Sequence, residues 1–171
     1  MSNTLDVINT RSSIRAFKAE MIDENLCRTL VEAGLKAPTA TNRQEIHITV
    51  TTNDNPVNDK IQKDLNPNAE KSFYYHAPLV FYLSGEDGFG WTAIDAGIAV
   101  ENIHLAAKEL GLGSVILGCM DKVLNGEKKA EYAKLLAIPE GYSFKIAIAI
   151  GYPDTEKEPH TYDFKKNVTV L

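Results

Sequence analysis

Trp91 to Leu110 carries the longest helical pattern in the chain, with Ile94, Ala96, Ile98, Ala99, Val100, Ile103, Ala106, Ala107 and Leu110 spread over much of the circumference. A helix apolar on so many sides has to be covered on most of them, so the rest of the chain must wrap it. Its small residues Ala93, Ala96, Gly97 and Ala99 allow a second helix to approach closely, which makes the segment a candidate dimer seam as well as a candidate core element.

The material to cover it is a mixture of strands and helices. His47–Thr52 alternates and is rich in β-branched residues, while Pro78–Ser84 is a nearly continuous apolar run that reads as a strand buried on two faces. Gly113–Gly118 and Phe144–Ile150 read as two further strands. Asp23 stands where an N-cap would, ahead of a helix that ends near Gly34 to Pro38. Pro56–Leu65 and Glu127–Leu136 are helical, and Leu5–Ile8 is a short apolar helical segment. After Gly151-Tyr152-Pro153 comes a polar tail, Asp154–Asn167, and then Val168–Leu171, whose residues would pair with a sheet edge in the same subunit or a partner.

With 171 residues, no internal repeat and no linker, residues 1–171 read as one domain. A formal net charge of -5 without a basic stripe argues against nucleic acid as the main partner. No apolar stretch is long enough for a membrane span, and the start lacks the pattern of a secretion signal. Cys27 and Cys119 lie far apart and in no metal-ligand spacing, as expected of reduced, mostly buried thiols in a cytoplasm. His104 shares a helix face with Glu101 and Lys108, which reads as a solvated ion-pair cluster rather than a metal site. Rossmann, phosphate-loop and nucleophile-elbow patterns are missing, and no acid, base or nucleophile constellation stands out.

Two segments concentrate binding chemistry. Arg11-Ser12-Ser13-Ile14-Arg15 gathers two guanidiniums and two hydroxyls in an otherwise acidic chain, a set suited to phosphate or carboxylate oxygens. A solvated polar turn would use the same residues. Ala37–Gln44 is a small-residue loop that delivers Asn42, Arg43 and Gln44 just before a strand. The amides of Asn42 and Gln44 suit the edge of a heteroaromatic ring, although capping and turn formation account for Thr39, Thr41 and Asn42 as well.

Taken in order, these segments resemble the FMN-dependent nitroreductase family. The pattern comprises Arg11/Ser13/Arg15, Ala37/Pro38/Thr39/Asn42/Gln44, Ala77/Pro78, Asp95/Gly97, Gly111/Leu112/Gly113 and Gly151/Tyr152/Pro153, spread over nearly the whole chain. The resemblance implies an α+β nitroreductase-like fold, a central mixed β-sheet flanked by helices, in an intertwined homodimer with FMN at the interface. Arg11, Ser12 and Ser13 would hold the phosphate and ribityl chain, and Arg15 would lie toward the pyrimidine edge, where positive charge stabilises the anionic reduced ring. Pro38, Thr39 and Ala40 would pack on the flavin from the other subunit, with Asn42 and Gln44 at its polar edge. Leu117 and Gly118 would present backbone near the hydride-accepting nitrogen, and Lys71, or Asn68 in its place, would reach a pyrimidine carbonyl.

The implied reaction is ping-pong hydride transfer from NAD(P)H, through the flavin, to a nitroaromatic, quinone or similar small electron-poor acceptor. A flavin-storing protein or a dimeric scaffold without the cofactor is the alternative. Family members usually follow the Asn-x-Gln segment with Pro-Trp, whereas this chain has Glu45-Ile46. His160 stands where a late phosphate-binding arginine is common, which implies FMN binding that weakens as pH rises across the histidine range, as an FMN titration would register.

Overall fold

The computed structural model describes residues 3–171. The elements run α1 (Thr4–Thr10), α2 (Glu24–Leu35), β1 (His47–Thr52), α3 (Pro56–Leu65), β2 (Leu79–Glu86), α4 (Thr92–Glu109), β3 (Gly113–Leu117), α5 (Asp121–Leu124), α6 (Lys129–Leu135), β4 (Tyr142–Gly151) and α7 (Phe164–Asn167). Local chemistry sets several boundaries. Asn3, Asp23 and Asn55 each cap a helix by accepting the N–H two residues on, and Pro56 occupies the first turn of α3, where its missing N–H costs nothing.

The strands form one sheet in the order β1-β2-β4-β3. All three ladders are antiparallel, and among the described residues the parallel pairing is the bridge between Ser13 and Ser114. β2 and β4 are central and buried on both faces, which is why their sequences are almost continuously apolar. Alternation along β2 sends Leu79, Phe81 and Leu83 to one side, where they meet Leu30 of α2 and Ala96, Ala99, Val100 and Ile103 of α4. Val80 and Tyr82 go to the other side, against Val57 and Ile61 of α3, Leu124 of α5 and Tyr132 of α6. The sheet is thus the middle of three layers.

α4 is covered on one side only. Asp95, Ala96, Ala99, Val100, Ile103, His104 and Ala107 are buried, while Ile94 and Ile98 are exposed together with Trp91 just ahead of them. Val168–Leu171 form no strand in this chain, and Val170 and Leu171 stand clear of it, so the sheet-edge pairing expected for them is not made within one subunit. Cys27 is half-buried and Cys119 exposed, against the expectation of two mostly buried thiols.

The outer edge of β3 is occupied by the stretch that follows α1. The Ile14 N–H donates to the Ser114 carbonyl at 3.0 Å, and farther along Phe17 bridges Pro153 and the Lys18 N–H donates to the Tyr152 carbonyl at 2.9 Å. Ile14 is buried directly against Gly113, where a Cβ would fall 2.9 Å from the Ile14 Cβ. A Gly113→Ala change should therefore push Ile14 and the neighbouring Arg11–Arg15 strip off the sheet edge. Denaturant unfolding should register a loss of about 1–3 kcal/mol, and an unchanged midpoint would contradict this seating of Ile14.

Candidate functional site

At the end of α1 the chain turns extended at Arg11, whose N–H still donates to the Val7 carbonyl at 2.9 Å, and Ile14 then pins it to β3. The Arg11 side chain is carried back over α4. Its Nη1 lies 2.9 Å from His104 Nε2 and its Nε 3.3 Å from Glu101 Oε1, with the side chain 18% exposed. Arginine offers only donors, so Nε2 of His104 must be the unprotonated acceptor. The ring proton then sits on Nδ1, which donates to Ser114 Oγ across a short contact.

His104 is buried, and its pKa is pushed down to about 4, first by burial and then by the Arg11 charge. This reverses the solvated cluster expected from its spacing to Glu101 and Lys108. Val100, Ile103 and Ala107, also close to it on the helix, are all buried and mark it as an inward-facing position. Glu101 does meet Arg11, and its own carboxyl is pushed up by burial and drawn down by that guanidinium.

Beside Arg11 opens a cavity of about 410 Å³, whose wall includes Arg11, Ser12, His104, Lys108, Gly113, Ser114 and Lys157. Arg11, Lys108 and Lys157 line it together with Glu156 and Glu158, three cationic side chains against two anionic ones. The tail is strapped to the strip where Ser12 Oγ donates to the Lys157 carbonyl at 2.9 Å. With His104 and Glu101 each taking one N–H of the guanidinium, its remaining donors are available to an anion.

Ser13 and Arg15 lie outside that wall; Ser13 is half-buried in its bridge to Ser114, and Arg15 is exposed. Leu117 is buried at the end of β3, and Gly118 follows in the open, with nothing within 4 Å of where a Cβ would stand. Lys71 and Asn68 are exposed in the segment between α3 and β2. His160 is exposed and absent from the cavity wall, which Lys157 lines instead.

The second segment, Pro38–Gln44, is not brought to the first. The Ala40 N–H donates to Asp95 Oδ2 at 3.0 Å, nine residues before His104 on α4, which at 1.5 Å per residue is a rise of about 13 Å. Around it Pro38, Asn42 and Gln44 are exposed and Thr39 and Ala40 half-buried. Thr41, Asn42 and Gln44 hold φ of 56°, 56° and 55°, a left-handed conformation that costs side chains strain, above all the β-branched Thr41. The loop is fixed by the Gln44 N–H to Thr39 Oγ1 at 2.9 Å and by Arg43, which grips Glu86 with two donors and stacks over Phe89.

The cavity lies beside the Gly-Leu-Gly turn Gly111–Gly113 and Pro153 of the late Gly-Tyr-Pro. The model of the nitroreductase family matches residues 8–152. The chain belongs to the nitroreductase family. It is 31% identical over 172 residues to a protein of Archaeoglobus fulgidus provisionally named NADH dehydrogenase/NAD(P)H nitroreductase, covering 98% of this chain and 95% of that one. It is 26% identical to the NADPH-flavin oxidoreductase of Vibrio harveyi, over 92% of this chain and 69% of that one. Among solved structures, a nitroreductase with bound FMN from Desulfitobacterium hafniense superposes over 100% of both chains with a TM-score of 0.87 at 29% identity.

As a nitroreductase-family member, the chain gains from His104 a buried neutral ring whose protonation must be resisted. The unfolded ring titrates near 6.5 and the folded one near 4, so below about pH 6.5 the unfolded state binds more protons and stability falls with acid. The loss reaches ~3 kcal/mol once the pH is below both values. Replacing His104 with Leu should remove this component, so the wild-type and variant stabilities should change relative to each other between about pH 6.5 and 4. Parallel profiles would contradict the assignment of a buried neutral ring.

Proposed function

We propose that this protein is an FMN-dependent oxidoreductase that takes reducing equivalents from NAD(P)H and passes them, by ping-pong hydride transfer, to nitroaromatic, quinone or similar electron-poor small molecules. We place it in the cytoplasm as a homodimer. The observation that carries the reading is the cationic cavity on the β3 edge, with Arg11 oriented by His104 toward it. FMN, when bound, supplies the hydride-accepting and hydride-donating ring.

The residues present fit such a group at its phosphate end. Arg11, Lys108 and Lys157 offer charged donors around the cavity, with Ser12 holding the tail beside them through the Lys157 carbonyl, and in this proposal Lys157 takes the part expected of His160. Ser13 would meet the ribityl chain and Arg15 the pyrimidine edge, where a positive charge favours the reduced, anionic ring. Lys71 would add a contact to a pyrimidine carbonyl. Gly118, lacking a side chain, keeps backbone accessible beside Leu117. Nothing in this scheme asks the protein for an acid or base, because stacking, proximity and electrostatics suffice.

The rest of the site would come from a second copy. Pro38, Thr39, Ala40, Asn42 and Gln44 stand exposed or half-buried and apart from the cavity, as loop residues meant to cover a partner's ring would. Exposed apolar side chains support the pairing: Trp91, Ile94 and Ile98 on and before α4, Leu5 and Ile8 on α1, and Tyr162, Phe164, Val168, Val170 and Leu171 in the tail. The tail residues would find on a partner's sheet edge the pairing they lack in their own chain.

The test is an absorbance spectrum of the purified protein, followed anaerobically by NADH and then NADPH. Flavin bands that bleach with either nucleotide are expected; bands that persist would contradict turnover, and no bands after added FMN would contradict the cofactor. Replacing Arg11 and Arg15 together with Ala should weaken FMN binding by roughly 10²–10⁴-fold, since charge-assisted contacts contribute about 1.5–3 kcal/mol each. Undiminished affinity in that variant would overturn the site assignment.

A further inference from the structure

Glu45 sits where the strained loop enters β1, and its side chain is buried, the residue being 4% exposed. Neither of its carboxyl oxygens makes a well-formed hydrogen bond, although its own backbone N–H lies close enough to stabilise the charged form. The polar group facing it from α4 is another buried carboxyl, that of Asp95, within hydrogen-bonding reach. Arg43, on the loop itself, is the positive charge nearby, but its guanidinium is already engaged by Glu86 and Phe89 and also feels Tyr142. His47, two residues along on β1, has its pKa lowered by burial and leaves its own Nδ1 without a partner.

Two carboxylates facing each other in a buried site repel, and each oxygen can only accept. One proton resolves both problems, because a protonated carboxyl donates to its neighbour while the neighbour keeps its charge. Asp95 already has a donor, the Ala40 N–H at 3.0 Å to its Oδ2, which suits the acceptor of the pair and leaves the donating role to Glu45. Burial first, together with the adjacent Asp95, pushes the Glu45 carboxyl above the usual carboxylate range, against the pull of its own backbone N–H and of Arg43.

We propose that Glu45 is a positioning residue that carries a proton, donates it in a hydrogen bond to Asp95, and so holds Asp95 against the Ala40 amide and the loop Pro38–Gln44 in its strained conformation. The chain of contacts runs Glu45 O–H to Asp95, and Ala40 N–H to Asp95. Ala40 opens the single 3-10 turn Ala40–Asn42, so fixing its amide fixes the entry to the left-handed residues Thr41 and Asn42. Ionisation of Glu45 places a second negative charge beside Asp95 and loosens the loop. Its consequence for the cofactor rests on the function proposed above, in which this loop covers a flavin.

The sign follows from linkage. A carboxyl held protonated in the folded state binds more protons than it does unfolded, so its contribution is full at low pH and is lost as pH rises through the folded value. The experiment uses the full chain without added FMN: melting temperature, and hydrogen-exchange protection of the Ala40 amide corrected for the intrinsic rate, from about pH 4.5 to about pH 9. Both should fall in the wild type relative to Glu45→Gln, whose amide donates to Asp95 at every pH. Asp95→Asn, which donates to an ionised Glu45 and still accepts from Ala40, should flatten the same profile and serves if Glu45→Gln fails to fold.

Wild-type and variant profiles that run parallel would overturn the proposal. Ala40 protection that is equal in all three proteins at every pH would overturn it as well. A wild-type profile that falls relative to both variants supports it even if the protein takes up no FMN, an outcome that would count against the proposed oxidoreductase and not against the proton on Glu45. Where FMN does bind, its dissociation constant should rise over the same pH interval in the wild type and not in Glu45→Gln.

Discussion

One helix, α4, has to be covered, and the covering of its inward face organises the rest of the molecule. Ala96, Ala99, Val100, Ile103 and Ala107 meet β2, β4 and α2 on that face. Among the buried polar residues of α4, Asp95 and His104 stand at different heights, and each fixes one of the segments that bear binding chemistry. Asp95 receives the Ala40 amide and sets the loop; His104 receives Arg11 and sets the strip along β3. Because both attachments hang from one rigid helix, roughly 13 Å apart along its axis, the two segments are held at a distance that a single subunit does not close. What remains uncovered on α4, Ile94 and Ile98 with Trp91 ahead of them, is the surface through which a second copy would close it.

Protonation state is part of that architecture. An arginine beside a histidine is tolerable only while the ring is neutral, and burial enforces this: the ring accepts from Arg11 and donates to Ser114, leaving neither nitrogen idle. The effect is to present a guanidinium to the cavity without setting a second positive charge behind it, while Glu101 balances part of its charge. Farther along the helix the complementary problem arises, with carboxyls in place of cations, and the orphaned oxygens of Glu45 are its structural trace.

Elements with strong local instructions were legible in the chain. His47–Thr52 and Pro56–Leu65 are found at the residues expected, because alternation fixes the one and the Asn55 cap, Pro56 and the Asn66-Pro67 break fix the other. The strip Arg11–Arg15 and the loop before β1 read in the sequence as candidate binding segments or as polar turns alike; the structure seats Arg11 and Ser12 beside a cavity and ties the loop to Asp95 through Ala40. His104 was not legible, because its two charged neighbours at helical spacing masked three apolar ones, and only the packed helix shows which group it faces. Lys108 and Lys157 reach one cavity from distant parts of the sequence, a convergence no local pattern records. Val168–Leu171 has strand chemistry without a strand in this chain, because propensity specifies a partner edge without supplying one.

The central claim is that the flavin site is completed across two chains, the strip and cavity from one and the loop from the other. Sedimentation velocity of the FMN-loaded protein, followed through the flavin absorbance over a dilution series that dissociates the subunits, tests it directly. The account predicts that flavin sediments with the dimer and is released as monomer appears. Flavin that travels stoichiometrically with the monomer would contradict it.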